Sequence, residues 1–266
     1  MEKTIRLFKR VFVGSDPHCG HYVGLTHPKY QTKEYPKIYE TQQVCWEFFT
    51  EKADKYKPFD MVIMNGDIIA GKNAKSGGRQ VMTHSLKDQC KIALKVFQYL
   101  DCPLIRIQRG TPYHVASTGD NWEDVLVEML PKDYDVKIHD QGFYRINKKN
   151  FNCKHKIGGS TIPHGRLTAL AKEILWNQMW NLKGVQPRAD VIVRSHVHYY
   201  ENIEHEGCHG IITPALQGLG DEYGQQQCSG TVDFGFVVID IYDDGKIDIQ
   251  PEIMKGFMQC SQNEVL

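Results

Sequence analysis

Apolar residues in this chain fall into short runs of strand length, separated by longer stretches where they recur at helical spacing. The runs are Val11-Phe12-Val13, Met61-Val62-Ile63-Met64, Leu104-Ile105-Arg106-Ile107 and Val191-Ile192-Val193. Such unbroken runs predict strands covered on both faces, as in parallel sheets, over 10–14, 59–64, 104–108 and 189–194. Between them, Ile38, Cys45, Phe49 and Tyr56 share one side of a helix predicted over 38–56. Leu86, Cys90, Ala93, Leu94, Phe97 and Leu100 share one side of a second helix that ends before Pro103. A short helix is predicted over 122–130 and a longer one, rich in Leu, Ala, Trp and Met, over 167–182. The character then changes. Ile211-Ile212, 234–242 and 246–249, with the turn Asp243-Asp244-Gly245, predict antiparallel strands and a hairpin. The stretch 148–156 is polar enough to read as a surface turn. No repeat, low-complexity tract or linker interrupts the sequence, which predicts one α/β domain over 1–266.

Composition narrows the picture only in part. A length of 266 residues with 41% hydrophobic content can supply a sizeable core. Lys+Arg 32 against Asp+Glu 32 leaves no net charge, so no global field draws the chain to nucleic acid or an anionic membrane. A local basic loop stays compatible with that balance. The first ten residues contain no apolar stretch long enough for a signal peptide or a membrane span, and the expectation is a soluble, intracellular protein. The eight cysteines (Cys19, Cys45, Cys90, Cys102, Cys153, Cys208, Cys228, Cys260) include no Cys-x-x-Cys pair, which argues against a zinc ribbon and for free thiols. Cys19 directly follows His18 and reads as a small packing neighbour.

Chemistry-bearing residues follow the predicted strands, where α/β sheets place their ligands. Asp16-Pro17-His18 sets a carboxylate and an imidazole two residues apart, able to reach one cation. Gly66-Asp67 follows the next strand, the glycine permitting close backbone approach and the carboxylate offering two oxygens. Each of these alone would also suit an ordinary polar turn or helix cap. Ser195-His196-Val197-His198 is less chance-like, since an extended pair at i and i+2 points both imidazoles the same way.

Taken in order, these pieces resemble the calcineurin-like metallophosphoesterase superfamily, whose pattern runs Asp-x-His, Gly-Asp, Gly-Asn-His-(Asp/Glu), a lone His, and Gly-His-x-His. Asp16-Pro17-His18 and Gly66-Asp67 match in full, Ser195-His196-Val197-His198 matches except for its first residue, and the lone His is placed at His164 in Ile162-Pro163-His164-Gly165. The segments Ser15-Asp16-Pro17-His18-Cys19-Gly20 and Gly71-Lys72-Asn73-Ala74-Lys75-Ser76-Gly77-Gly78 look like the phage- and prophage-encoded branch, which would place the protein in a host cytoplasm.

The resemblance implies a four-layer α/β/β/α sandwich with mixed sheets and a phosphoesterase acting through a hydroxide activated by two divalent metal ions. Mn, Fe, Zn and Ni all suit such ligands, with Mn favoured. One ion is then held by Asp16, His18 and His198 and the other by His164 and His196, with Asp67 bridging. The third motif departs from the pattern. Where Gly-Asn-His is expected the chain reads Gly110-Thr111-Pro112-Tyr113-His114, so the ligating Asn is missing and His114 is displaced. Either His114 keeps the family's role as catalytic acid, the preferred reading, or it replaces the Asn as a ligand.

Substrate expectations rest on the loop after Asp67, where Lys72, Lys75 and Arg79 are placed to contact phosphates, or are simply solvated. Tyr113, Trp122, Tyr199, Tyr200 and Tyr223 are candidates for stacking on a base, or for ordinary packing. Single-stranded DNA and nucleotides both fit as the phosphodiester or phosphomonoester substrate. His84 lies between two motifs, where it could fold over the metals, and the Gly-rich stretch 217–224 reads as a rim loop. His21, His27, His139, His155, His205 and His209 lack a strand-end position and carry no assigned role. The sequence leaves the oligomeric state open. A non-catalytic relative that keeps the fold as a binding or scaffold module is the alternative. Asp16, Asp67 and the His pair argue against it, because buried unpaired charges are costly without a cation.

Overall fold

Continuous apolar burial accounts for the central strands. In a computed structural model that describes residues 6–74, 77–117, 120–218 and 232–256, the chain forms β1 (Phe8–Gly14), α1 (Pro36–Tyr56), β2 (Met61–Met64), α2 (Leu86–Leu100) and β3 (Leu104–Gln108). A proline at its start fits α1 to the helix N-terminus. Ser85 caps α2 by accepting from the Asp88 N–H at 3.3 Å, and Asp101 closes it in the left-handed conformation (φ 49°). Then follow the one-turn α3 (Pro112–Val115), the short pair β4 (Ala116–Ser117) and β5 (Asp120–Asn121), α4 (Trp122–Met129) and β6 (Asp135–His139). The chain continues through β7 (Gln141–Ile146), β8 (Lys149–Lys156), α5 (Arg166–Leu182), β9 (Val191–Ser195), β10 (Glu201–His205), β11 (Cys208–Ile212), β12 (Gly235–Tyr242) and β13 (Ile247–Ile253).

The main strands build two mixed sheets. One has the order β13-β12-β1-β2-β3-β6, with β1, β2, β3 and β6 parallel and β12 and β13 antiparallel. The other has the order β10-β11-β9-β8-β7, parallel at its centre and antiparallel at both edges. Period-two alternation divides β1 and β2 between two cores. Phe12, Val62 and Met64 face outward and pack with Phe49, Cys45, Ile92 and Phe97 of α1 and α2. Val11, Val13 and Ile63 face inward and meet Phe151, Cys153, Val191 and Val193 of the second sheet. On that sheet's outer side, Leu170 and Ile174 of α5 cover Ile212 and Ile192. Helices, sheet, sheet and helix are therefore stacked as four layers, each fully buried aliphatic or aromatic side chain contributing roughly 1.5–3 kcal/mol. None of the described helices is long and apolar enough to cross a membrane.

One sequence expectation is corrected here. The stretch 148–156 is not a turn, because β8 runs through it as an interior strand between β7 and β9. Only Asn147 and Lys148, at φ 45° and 71°, form the two-residue turn that joins β7 to β8. The strand tolerates its polar sequence because Phe151 and Cys153 fill the inter-sheet core. Asn152 accepts from Gln141 Nε2 at 2.9 Å and from Arg194 Nη1 at 3.3 Å. The six described cysteines are all free and buried; Cys228 and Cys260 lie outside the described residues.

Candidate metal centre

Both sheets direct the carboxyl ends of their parallel strands to one edge, and the loops that leave those ends supply the site. Asp16 and His18 follow β1, Asp67 follows β2, Thr111 and His114 follow β3, and His196 and His198 follow β9. Five of these residues have left-handed backbone conformations: Asp16 (φ 51°), His18 (φ 40°), Asp67 (φ 50°), His196 (φ 79°) and His198 (φ 57°). Each such residue costs on the order of 1–3 kcal/mol, a strain that persists only where the surroundings impose it.

The ligand-bearing atoms of Asp16, Asp67, His155 and His196 lie within 4.8 Å of one another, as do those of Asp16, His18 and His198, and those of His18, Asp67 and His114. This cluster can hold metal. Asp16 and Asp67 are 0% and 1% exposed. Asp16 Oδ1 lies 3.2 Å from His198 Nε2, 3.7 Å from His18 Nε2 and 3.9 Å from His155 Nε2. Ser15 Oγ and the His196 N–H also donate to Asp16, the latter at 3.2 Å. Asp67 Oδ2 lies 3.0 Å from His155 Nε2 and 3.8 Å from His196 Nδ1. The Thr111 N–H donates to Asp67 Oδ1 at 2.6 Å, and Thr111 Oγ1 is 3.1 Å from both carboxylate oxygens.

The electrostatics follow from crowding in a buried space. Burial alone would raise the Asp16 and Asp67 carboxyls, but neighbouring imidazoles, His155 foremost, outweigh it and hold both below the usual carboxylate range. Burial opposes charge on His155, yet Asp16 and Asp67 prevail and raise it to about 10. Burial and the neighbouring His114 push His18 down to about 3. Among the described residues, every ion-pair partner recorded for the two carboxylates is a histidine, with no Lys or Arg. Two buried carboxylates with imidazole partners form a donor set that suits a divalent first-row cation.

The structure thus brings together Asp16, His18, Asp67, His114, His196 and His198. His164 is a different matter. It sits in an exposed single turn, Pro163–Gly165, where the chain has left β8 to enter α5, and it belongs to none of the three groups. Its expected place is taken by His155, only 2% exposed, which projects from the end of β8. A register irregularity between Cys153 and Lys156 turns the strand there, as bulges do beside sites. Gly66 (φ +91°) makes the room, since a Cβ at that position would stand 2.6 Å from the His155 ring. His155 was missed because its strand was read as a turn. The recoverable signal was Phe151, Cys153 and His155 at spacing two, which places all three on one face.

Glu123 carries no local sequence signal for its place beside the site. Fully buried at the start of α4, it accepts the Ile68 N–H at 2.9 Å and the Gly110 N–H at 2.7 Å, clamping the two loops that carry Asp67 and Thr111. Burial pushes its carboxyl up to about 7.

Lys72 and Arg79 are exposed on the loop after Asp67. Gln89 anchors that loop, accepting the Gly71 N–H at 2.8 Å and donating to the Gly71 and Thr83 carbonyls at 2.9 and 2.8 Å. Tyr113 donates to Asn73 Oδ1 at 2.9 Å, joining the same loop to the turn that bears His114. Trp122 and Tyr199 are packing residues, and Tyr200 packs against the inter-sheet core. His84 is exposed and lies against Gly78 rather than over the cluster. Cys19 is fully buried beside the site with its thiol directed at the Leu25 carbonyl, 3.5 Å away, as expected of a packing neighbour. Lys75, Tyr223 and most of the 217–224 stretch lie outside the described residues.

No family model and no curated protein matches this chain. Solved structures do resemble it. Wild-type Vps29 complexed with zinc from Entamoeba histolytica is 14% identical with TM-score 0.43, covering 92% of this chain and 98% of its own. A conserved uncharacterised protein from Streptococcus pneumoniae, a predicted phosphoesterase, is 12% identical with TM-score 0.41, covering 95% and 97%. A novel archaeal phosphodiesterase is 14% identical with TM-score 0.45, covering 91% and 99%. Identities and TM-scores this low transfer no function from those proteins to this chain.

Proposed function

We propose that the protein is a metal-dependent phosphoesterase of the calcineurin-like type, hydrolysing a phosphodiester or phosphomonoester of a nucleotide or a single-stranded nucleic acid. One observation carries the reading: two buried carboxylates, Asp16 and Asp67, face a ring of imidazoles at the shared edge of both sheets, with no Lys or Arg among their ion-pair partners in the described residues. The order of the motifs along the chain supports the same class.

Two divalent cations, Mn favoured, suit the donor set. Asp16, Asp67, His155 and His196 would hold one, and His18 and His198 with a shared carboxylate would contribute to the other. When bound, such ions lower the pKa of water toward neutrality and neutralise charge on the phosphoryl oxygens. The protein's own residues supply orientation. Thr111 fixes the Asp67 carboxylate through its N–H and hydroxyl, and the Asn65 carbonyl fixes the His155 ring at 2.6 Å. Hydrolysis forms a bond from the water oxygen to phosphorus and breaks the ester P–O bond, and the departing alcohol takes a proton. His196 and His198, whose side chains are 33% and 23% exposed, mark the mouth through which substrate and solvent reach the centre. Lys72 and Arg79, exposed on the loop that Gln89 anchors after Asp67, would contact phosphates flanking the scissile one. Likeness to the phage- and prophage-encoded branch, with action in a host cytoplasm, is part of this proposal and rests on the segments around Asp16 and Gly71.

The test is hydrolysis of bis(p-nitrophenyl) phosphate, p-nitrophenyl phosphate and a single-stranded oligonucleotide by protein stripped of metal and then supplied with Mn²⁺. Turnover that appears with the metal is expected. A well-folded, metal-loaded protein inactive on every mono- and diester would overturn the reading in favour of a non-catalytic binding module.

A further inference from the structure

We infer that His114 is itself a metal ligand, sharing a cation with His18 and Asp67, rather than the general acid that the motif order suggests. The inference rests on reading the cluster as a metal centre and adds to it the residue that compensates for the missing Asn.

Position comes first. The chain leaves β3 at Gln108, turns through Gly110 and Thr111, and winds one helical turn, in which the His114 N–H donates to the Thr111 carbonyl at 2.9 Å. That turn carries the His114 ring back toward the centre, 4.4 Å from the His18 ring at an interplanar angle of 66°. One His114 ring nitrogen lies within 4.8 Å of donor atoms on both His18 and Asp67. Thr111, which occupies the place of the expected Asn, directs its N–H and hydroxyl to Asp67 and so orients a ligand.

The tautomer points the same way. His114 Nδ1 is 2.9 Å from the Ala70 carbonyl, a group that only accepts, so Nδ1 carries the proton and the Nε2 lone pair is left to bind a cation. A backbone carbonyl on the second ring nitrogen is a usual partner for ligating histidines. His155 likewise sets its Nδ1 against a backbone carbonyl, that of Asn65 at 2.6 Å.

The turn is also held in place. Gly71 (φ +69°) sits so close that a Cβ there would overlap the His114 carbonyl oxygen and stand 2.8 Å from its carbonyl carbon. The Tyr113 hydroxyl adds its bond to Asn73 at 2.9 Å. A ring fixed on both sides loses little freedom when it binds a cation.

The experiment compares wild-type protein with His114→Ala and His114→Gln, each stripped and titrated with Mn²⁺ and with Co²⁺. Bound metal is counted by elemental analysis, affinity is set by chelator competition, and the Co²⁺ visible spectrum is recorded. Circular dichroism of the metal-free forms monitors folding. Both variants should lose one tightly held equivalent, or bind it at least about 10–100-fold more weakly, and the Co²⁺ spectrum should change. If His114→Ala does not fold, His114→Gln, which keeps a hydrogen-bonding group, decides the matter. Variants that bind the wild-type number of ions with unchanged affinity and spectrum overturn the inference alone. A wild-type protein that takes up no metal overturns it together with the metal-centre reading.

Discussion

Glu123 offers a perturbation whose size follows from its bonds. Its two carboxylate oxygens are each committed to a backbone N–H, the buried one of Ile68, one residue after Asp67, and the partly buried one of Gly110, one residue before Thr111. Truncation to Ala leaves both donors without an acceptor in a site from which the side chain excluded water. A buried unsatisfied group costs about 1–3 kcal/mol, so Glu123→Ala should lose about 1–3 kcal/mol of unfolding free energy from the Ile68 N–H and a smaller amount from the partly exposed Gly110 N–H. Glu123→Gln keeps one acceptor but turns an NH₂ group toward the other N–H, and about half that loss is expected. The effect extends beyond stability, because the two clamped loops carry Asp67 and the Thr111 groups that orient it. A displacement of about 1 Å in a catalytic ligand is enough to lower turnover on the order of 10²-fold. Urea unfolding of the metal-free proteins measures the first effect, and Mn²⁺ affinity with phosphodiester turnover measures the second. Glu123→Ala with a wild-type unfolding midpoint, metal affinity and turnover would refute the clamp.

Two further predictions concern the second sheet. His155→Ala should weaken metal binding and collapse turnover, whereas His164→Ala, altering an exposed turn, should leave metal content and unfolding unchanged; elemental analysis of the two variants separates them. Glu173 pairs with the 1%-exposed Arg194 side chain at 2.6 Å, and Glu173→Gln should cost about 1–3 kcal/mol, less than a fully buried pair because Glu173 is partly solvated. Burial raises the Glu173 carboxyl, but Arg194 outweighs it and holds it below its ordinary 4.5. It is therefore ionised in the fold at pH values where the unfolded chain begins to take up protons. The pair's contribution is complete above pH 4.5 and lost as pH falls through the depressed folded value, so wild-type unfolding free energy should drop more steeply there than that of Glu173→Gln.

What the sequence made legible follows from how each element is stabilised. β1, β2, β3 and β9 are buried on both faces, so their apolar runs announce them, and the Asp and His residues that follow inherit a strand-end position. Helix α2 is legible for a different reason, with an apolar side and a following Pro103. β8 was not, because its polar side chains are satisfied by partners on other elements: Gln141 and Arg194 satisfy Asn152, and the Asn65 carbonyl and Asp67 satisfy His155. Losing that strand meant losing His155, and the motif order then drew its role to His164, a residue in a surface turn. Glu123 escaped for a related reason. Its function is to accept two backbone N–H groups from loops more than a dozen residues upstream, and no local pattern encodes such a contact. Thr111 looked like a defect in the sequence; in the fold it is a donor to Asp67.

The central claim is that the Asp16 and Asp67 cluster is a metal centre on which phosphoester hydrolysis depends. Its most direct test titrates stripped protein with Mn²⁺ while bound metal and bis(p-nitrophenyl) phosphate turnover are measured on the same samples. Turnover should be absent without metal, rise with occupancy and level off when the cluster is full, and Asp67→Asn should abolish both binding and turnover. Hydrolysis that proceeds at the same rate whatever the occupancy, or full metal uptake by Asp67→Asn, would contradict the account.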